Sequence, residues 1–180
     1  MVRQRLAADP SPTLEAFQET LLSSTLFQKA DALVGYIAIQ QEIPLDAILE
    51  AALRAGKRLL LPRFCGDQYT LAEIRSLRDD LVPGHFRIPE PSGTCPAATA
   101  LPAGTLWLIP GLAFDLQGHR LGRGGGFYDR LRQKFPQGTA LGICRDCQIL
   151  SEVPHEIWDV PVDALLTPTS RIHSCYDIPS

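Results

Sequence analysis

One stretch of the sequence decides the fold: Thr105-Leu-Trp-Leu-Ile-Pro-Gly-Leu-Ala-Phe-Asp-Leu-Gln-Gly-His-Arg-Leu-Gly-Arg-Gly-Gly-Gly-Phe-Tyr-Asp-Arg-Leu-Arg-Gln-Lys-Phe135. Its apolar run at 105–109 has the length of a buried strand. Four glycines follow at 122, 124, 125 and 126, directly before a segment that predicts a helix to about residue 135. A strand, a glycine-rich turn and a helix in this order indicate an α/β fold.

Outward from this stretch, helical and strand patterns alternate. Apolar side chains at helical spacing predict a helix over 13–30, and Pro44 opens a second helix that Gly56 ends. Continuous apolar runs at 32–39, 57–62, 139–144 and 162–167 suit strands covered on both faces. We therefore predict one α/β domain over residues 1–180, with a largely parallel sheet and helices on both faces. Prolines at 83, 91, 96 and 102 make 63–104 irregular.

Charge and hydropathy argue against a nucleic-acid-binding, a membrane-spanning or a secreted protein. The net charge of −3 offers no basic surplus for a nucleic-acid partner. No apolar run approaches the ~20 residues that span a bilayer, and the first residues contain no signal-peptide core. A cytoplasmic protein that binds a small molecule is the expectation.

The cysteines predict free thiols. Five cysteines at irregular spacing do not form a secreted disulfide framework. A zinc-bearing interaction module using Cys144, Cys147, His173 and Cys175 is an alternative, although His-x-Cys is an unusual half-site.

The glycine-rich turn is the candidate phosphate site. Ligands of parallel α/β sheets bind outside the carboxyl ends of strands, here just after residues 39, 109, 144 and 167. Glycines permit positive φ, so successive N–H groups can surround an anion at the start of the helix. Between 120 and 134, five cations face one acid, which suits a polyphosphate. The loop lacks the Gly-Lys-Ser/Thr of a Walker A motif, and Phe127 interrupts a dinucleotide fingerprint. A flexible turn is the alternative.

Two acids are candidate Mg²⁺ ligands. Asp129 falls in the first turn of the predicted helix, and Asp159 precedes the last strand. Mg²⁺ usually takes one or two carboxylates together with phosphate oxygens. The alternatives are a helix-dipole acid at Asp129 and an ordinary loop acid at Asp159.

The sequence resembles the 5-formyltetrahydrofolate cyclo-ligase family. The resemblance rests on Pro110-Gly-Leu-Ala-Phe-Asp115 followed by Gly118-x-Arg120-Leu-Gly-x-Gly-x-Gly-x-Tyr128-Asp129, and it extends over about residues 14–170. It implies that ATP phosphorylates the formyl oxygen of 5-formyltetrahydrofolate. N10 then attacks the activated carbon, and phosphate leaves to give 5,10-methenyltetrahydrofolate.

The resemblance also implies roles for individual residues. Arg120 and Arg123 are the catalytic candidates, and Asp129 and Asp159 the Mg²⁺ ligands. The ATP-binding candidates are Arg120, Leu121, Gly122, Arg123, Gly124, Gly125, Gly126, Phe127 and Tyr128. The folate-binding candidates are Ile37, Glu42, Arg123 and Phe127.

One departure from the family pattern bears on activity. Family members start with a Lys-x-x-Leu-Arg helix that reaches ATP, whereas residues 2–6 here match only the segment after that motif. An upstream start, or substitution by Arg3 or Arg5, would restore the contact. Gly125 also stands where a lysine is frequent. A folate- or nucleotide-binding relative without turnover is therefore one alternative. An enzyme like the sugar-phosphate isomerases, which needs neither ATP nor Mg²⁺, is another.

Overall fold

The computed structural model describes residues 14–169 and 172–175. Its helices are α1 (Leu14–Ser23), α2 (Thr25–Lys29), α3 (Asp46–Arg54) and α4 (Phe127–Lys134), with short 3-10 turns at His85–Arg87 and Asp146–Gln148. Within those ranges, no helix is long and apolar enough to cross a membrane.

In the described residues, eleven strands form one large sheet and two small ones. They are β1 (Ala32–Val34), β2 (Arg58–Cys65), β3 (Gln68–Ile74), β4 (Leu81–Pro83), β5 (Pro89–Pro91), β6 (Thr105–Pro110), β7 (Ala113–Phe114), β8 (Arg120–Leu121), β9 (Thr139–Ile143), β10 (Ala164–Leu166) and β11 (His173–Ser174). The large sheet has the order β11-β10-β9-β6-β1-β2-β3. Its five inner strands are parallel, and β3 and β11 join the edges antiparallel. The predicted largely parallel sheet is confirmed.

Helices cover both faces of the sheet, as predicted. Alternate residues of the inner strands point to opposite faces, so Leu33 packs in one apolar cluster with α1 and α3. Val34 and Trp107 pack in the other cluster, together with Leu131 of α4 and Phe135, the residue that caps the end of that helix. Burial of each such large apolar side chain contributes about 1.5–3 kcal/mol, which explains why the strands are apolar without interruption.

Two predicted elements end earlier than their hydrophobic patterns do. The helix predicted over 13–30 breaks at Ser24, whose extended backbone (ψ 148°) and hydroxyl cap α2 at the amide of Phe27. The strand predicted over 32–39 ends at Val34, and the Gly35 amide donates the next hydrogen bond to the carbonyl of Leu60 in β2 at 3.0 Å. Tyr36 is buried and residues 37–39 are half-buried, and this part of the run lies beside a cavity instead of in the sheet.

The prediction of irregular chain from residue 63 was wrong for its first part. β2 continues to Cys65, and a two-residue turn at Gly66 and Asp67 returns the chain as β3. Gly66 has a φ of 69°, which favours glycine at a hairpin turn. Gly-Asp between two apolar segments was the available hairpin signal.

Candidate active site

Two adjacent cavities of about 610 and 590 Å³ lie at the carboxyl ends of the inner strands. The segments after β1 and β6 line them, as the parallel sheet predicts. The segments directly after β9 and β10 contribute none of the lining residues of these two cavities in the described chain. Beyond β9 the chain reaches the larger cavity only at Pro154 and at Trp158 and Asp159.

The glycine-rich loop forms the wall between the cavities. Gly124 and Gly126 have φ angles of 87° and 58°, and Gly126 is the N-cap of α4. A side chain at Gly125 would clash with the present position of the Phe127 ring. The Arg130 guanidinium donates to the Gly125 carbonyl at 2.8 Å and so fixes the loop from the helix side. The positive φ angles therefore favour glycine at 124 and 126, and a side chain at 125 would require the Phe127 ring to move.

Asp129 joins the loop to the segment before the last parallel strand. Its Oδ2 atom lies 2.9 Å from an Arg120 guanidinium nitrogen, and both side chains are largely buried. Its Oδ1 atom accepts a 3.3 Å bond from the amide of Val160. Asp159 directly precedes Val160 in the chain, and its Oδ2 atom accepts a hydrogen bond from the Glu156 amide at 2.8 Å. Both carboxylates line the larger cavity, where oxygen ligands suit Mg²⁺ beside phosphates.

Arg123 reaches from the glycine-rich loop to the segment after β1. Its guanidinium donates to the Gln40 side-chain oxygen at 3.1 Å and lies 3.6 Å from the Glu42 carboxylate. Glu42 also accepts the amide of Ile39 at 3.0 Å. Burial raises the pKa of Glu42, and the Ile39 amide and the Arg123 charge offset only part of that effect. The ion pair thus links the two loops at the boundary of the cavities.

The larger cavity is the more polar of the two, and the smaller one contains several aromatic rings; they are called the polar and the aromatic cavity below. The larger is lined by Glu42, Pro110, Gly111, Leu112, Arg120, Leu121, Gly122, Arg123, Gly124, Gly125, Gly126, Phe127, Tyr128, Asp129, Arg130, Gln133, Pro154, Trp158 and Asp159. The smaller is lined by Tyr36, Ile37, Ile39, Glu42, Leu61, Pro62, Tyr69, Phe86, Ile88, Pro89, Glu90, Pro110, Arg123, Gly124, Gly125, Phe127, Tyr128 and Leu131. Seven residues belong to both sets: Glu42, Pro110, Arg123, Gly124, Gly125, Phe127 and Tyr128.

Rings form the walls of the smaller cavity. Tyr69 meets Phe127 edge to face at 4.6 Å between ring centroids. Burial raises the pKa of Tyr36 and of Tyr128, so both phenols stay protonated near neutral pH. The Tyr36 hydroxyl donates to the Ile43 carbonyl at 2.8 Å. Such a pocket accepts a flat, largely apolar heterocycle with a few polar edges.

Comparison with known proteins identifies the family. The sequence profile described as "5-formyltetrahydrofolate cyclo-ligase family" matches residues 3–168. The chain belongs to the 5-formyltetrahydrofolate cyclo-ligase family. A 5-formyltetrahydrofolate cyclo-ligase of Escherichia coli K12 is 30% identical over 179 residues, covering 94% of this chain and 97% of the relative. One of Mycolicibacterium smegmatis is 33% identical over 143 residues, covering 77% and 74%.

A solved structure agrees with the family assignment. The 5,10-methenyltetrahydrofolate synthetase of Aquifex aeolicus superposes with a TM-score of 0.83 at 30% identity, covering 99% of this chain and 91% of that one. The α/β fold predicted from sequence is therefore the fold of the cyclo-ligase family. Membership in this family favours the cyclo-ligase interpretation over the sugar-phosphate isomerase alternative.

Every candidate site residue predicted from the cyclo-ligase motifs lines one of the two cavities. The residues from Arg120 to Asp129, with Asp159, line the polar cavity, and Ile37 lines the aromatic one. Glu42 lines both. The structure thus brings together side chains that are up to 122 positions apart in the sequence, from Ile37 to Asp159.

Sequence reasoning assigned no role to several lining residues. Tyr69, Phe86 and Glu90 come from the region judged irregular, where no periodic pattern marks them. Glu90 is buried, and its carboxylate accepts the amides of Phe64 and His85 at 2.9 and 3.1 Å, which fixes the loop that carries Phe86. The one signal in the sequence was an acid between two prolines, Pro89-Glu90-Pro91.

Two other predictions concern metals and the first residues. The five cysteines all lie within the described ranges, and none of them forms a disulfide. No group of three or more His, Cys, Asp or Glu side chains suited to a metal occurs in the part of the chain that the structure describes. The zinc alternative therefore finds no support at Cys144 and Cys147. Arg3 and Arg5 lie outside the described residues.

Proposed function

We propose that this chain converts 5-formyltetrahydrofolate to 5,10-methenyltetrahydrofolate and consumes Mg-ATP in doing so. The formyl oxygen attacks the γ-phosphorus and ADP leaves. N10 of the folate then attacks the formyl carbon and gives up its proton, and the C–O bond breaks so that phosphate leaves. Phosphorylation is needed because an amide-like oxygen is otherwise a poor leaving group.

The observation that carries the proposal is the shared wall of the two cavities. A phosphoryl transfer requires donor and acceptor to meet in line within one site. The polar cavity suits a triphosphate, and the aromatic cavity suits a reduced pterin. They meet at Arg123, Gly124, Gly125 and Phe127, so the formyl group and the γ-phosphate would meet at this loop.

The loop and its arginines supply charge stabilisation. Backbone N–H groups of 124–127 and the start of α4 can hold phosphate oxygens. Arg120 lies over the Tyr128 ring and is held by Asp129, so its guanidinium is oriented before a ligand arrives. Arg123 extends to the boundary between the cavities, where negative charge develops during transfer. Asp129 and Asp159 would hold Mg²⁺, which neutralises phosphate charge when bound.

On the folate side, Glu42 is the candidate for recognition of the pterin. Its carboxylate is nearly buried, and its two oxygens face Arg123 and the Ile39 amide. A carboxylate can accept paired hydrogen bonds from an amino-pyrimidine edge. Ile37 and the rings of Tyr69 and Phe127 would contact the flat face of the heterocycle.

The organisation and location of the chain complete the proposal. We infer one domain over residues 1–180, since the described residues of both cavities come from segments between 36 and 159 that pack on one sheet. We infer a cytoplasmic enzyme that acts on small molecules, in keeping with cysteines that form no disulfide.

The direct test is formation of methenyltetrahydrofolate, followed by its near-ultraviolet absorbance. We expect product from 5-formyltetrahydrofolate only when both ATP and Mg²⁺ are present, with ADP and phosphate released in equal amounts. Product without ATP would exclude the phosphorylated intermediate. A folded chain that binds folate but forms no product would instead be the relative without turnover.

Replacing Glu42 with Gln is expected to raise the KM for 5-formyltetrahydrofolate about tenfold, the effect of losing about 1.4 kcal/mol of binding. The KM for ATP is expected to change less, because the polar cavity keeps its arginines. Glu50→Gln is the matched control, since Glu50 is an exposed helix acid paired with Arg54. Steady-state rates with each substrate varied in turn measure both constants. Equal increases in both constants would contradict a folate-specific role.

A further inference from the structure

We propose that Trp158 is the stacking platform for the base of the bound nucleotide. The inference rests on the proposed function only for the identity of the ligand as a nucleoside triphosphate. It assigns a binding residue to the end of the polar cavity away from the glycine-rich loop.

The exposure of Trp158 is the first observation. Its side chain is 62% exposed, whereas Trp107, the other tryptophan, is completely buried. Tryptophan is highly buried on average in folded proteins, and exposed rings are frequent at binding surfaces. Trp158 lines the polar cavity, as do Pro154 and Gln133.

The backbone under this ring is anchored, so the exposure does not come from a loose loop end. The Gln133 side chain donates to the Trp158 carbonyl at 3.0 Å. The amide of Asp159 donates to the Glu156 carbonyl at 3.0 Å, and the Asp159 carboxylate accepts the Glu156 amide. The turn therefore presents a solvent-exposed ring from a fixed position, which lowers the entropic cost of stacking.

The position of the ring fits a nucleotide whose phosphates lie at the loop. Gln133 holds Trp158 and stands seven residues after the N-cap Gly126 in α4. At 1.5 Å per residue these positions are ~10 Å apart along the helix. An extended nucleoside triphosphate can bridge that separation, with its phosphates at the N-terminus of α4 and its base beside Trp158. Asp129 and Asp159 line the same cavity.

A nucleobase fits better than a protein partner as the occupant. Ile157 is 96% exposed but does not line the cavity, whereas Trp158 shares its cavity with arginines and carboxylates that suit a charged small molecule. Aromatic stacking on a base tolerates different bases, and larger purines stack over more area. The platform therefore predicts that ATP and GTP bind more tightly than CTP and UTP.

The kinetic test compares Trp158→Ala with Trp158→Phe. We expect the alanine variant to raise the KM for ATP about tenfold or more, with kcat and the KM for folate unchanged. The phenylalanine variant restores most of the affinity because it keeps a ring. Inorganic tripolyphosphate, which has no base, should inhibit wild type and both variants equally. Ile157→Ala, which removes the neighbouring exposed side chain, is the matched control.

A binding test separates this inference from the proposed function. Because Trp107 is buried, quenching of tryptophan emission by ATP reports on Trp158, and it should disappear in Trp158→Phe. Quenching without any turnover would leave the platform intact and contradict the cyclo-ligase proposal. Unchanged ATP affinity in the folded alanine variant, or a parallel loss of tripolyphosphate inhibition, would overturn the platform.

Discussion

Replacing Asp129 with Asn is expected to lower the rate of ATP-dependent methenyltetrahydrofolate formation by about 10²–10³-fold, the usual effect of removing one charge-stabilising group. Asp129 holds the Arg120 guanidinium at 2.9 Å and is a proposed Mg²⁺ ligand. The substitution keeps the shape of the side chain and removes its charge. Initial rates measured over a range of Mg²⁺ concentrations should show both a lower maximum and a higher Mg²⁺ requirement.

The matched control for this variant is Asp46→Asn. Asp46 is the acidic residue in the first turn of α3, as Asp129 is in the first turn of α4, but it is exposed and lies outside both cavities. An acid that only stabilises the helix dipole contributes about 0.3–1 kcal/mol to helix stability. If that were the whole role of Asp129, both substitutions would have similar small effects on the rate. Equal rates for the two variants would assign Asp129 to helix stability. A lower rate with an unchanged Mg²⁺ requirement would assign it to orienting Arg120.

The sequence predicted the inner sheet because burial on both faces leaves continuous apolar runs. Thr105–Pro110 and Thr139–Ile143 follow such runs closely. The apolar run that begins at Ala32 predicts a longer strand than the structure contains, and the difference has a physical reason. Tyr36 and Ile37 are covered by packing beside the aromatic cavity instead of by sheet neighbours, and hydropathy alone does not distinguish the two.

The site was predictable where its residues are contiguous. The segment from Arg120 to Asp129 forms a loop and a helix start, and a short motif specifies both. The aromatic cavity was not predictable in the same way, because Tyr69 lies on an antiparallel edge strand and Phe86 lies in a turn with a φ of 56°. These positions meet the loop only through tertiary packing, which no local pattern records.

Loss of the buried Asp115 is expected to lower the stability of the fold strongly. Its carboxylate accepts four hydrogen bonds and is fully buried. Oδ1 accepts the amides of Gln117 and His119 at 3.0 and 2.9 Å, and Oδ2 meets the His119 ring and the Val153 amide, each at 3.0 Å. It therefore ties the β7–β8 turn to the segment that leads to Trp158 and Asp159.

Replacing Asp115 with Asn is expected to cost about 3 kcal/mol of unfolding free energy, because the new NH₂ group faces the Val153 donor. For a chain of this length, the melting temperature should fall by about 6–12 °C. Asp67→Asn, in the exposed hairpin turn, is the matched control and is expected to change the melting temperature little. Thermal unfolding of both variants at neutral pH measures the difference.

The same carboxylate predicts how stability depends on pH. Burial alone would raise the pKa of Asp115, but the bonds from Val153 and His119 outweigh it and lower the pKa below the ordinary 3.8. A lowered pKa in the folded state means that the carboxylate contributes its stability above pH 3.8 and loses it as the pH falls through the folded value. The stability difference between wild type and Asp115→Asn should therefore shrink as the pH falls below about pH 4. A difference that does not depend on pH would mean that packing of the side chain, and not its charge, holds the two loops together.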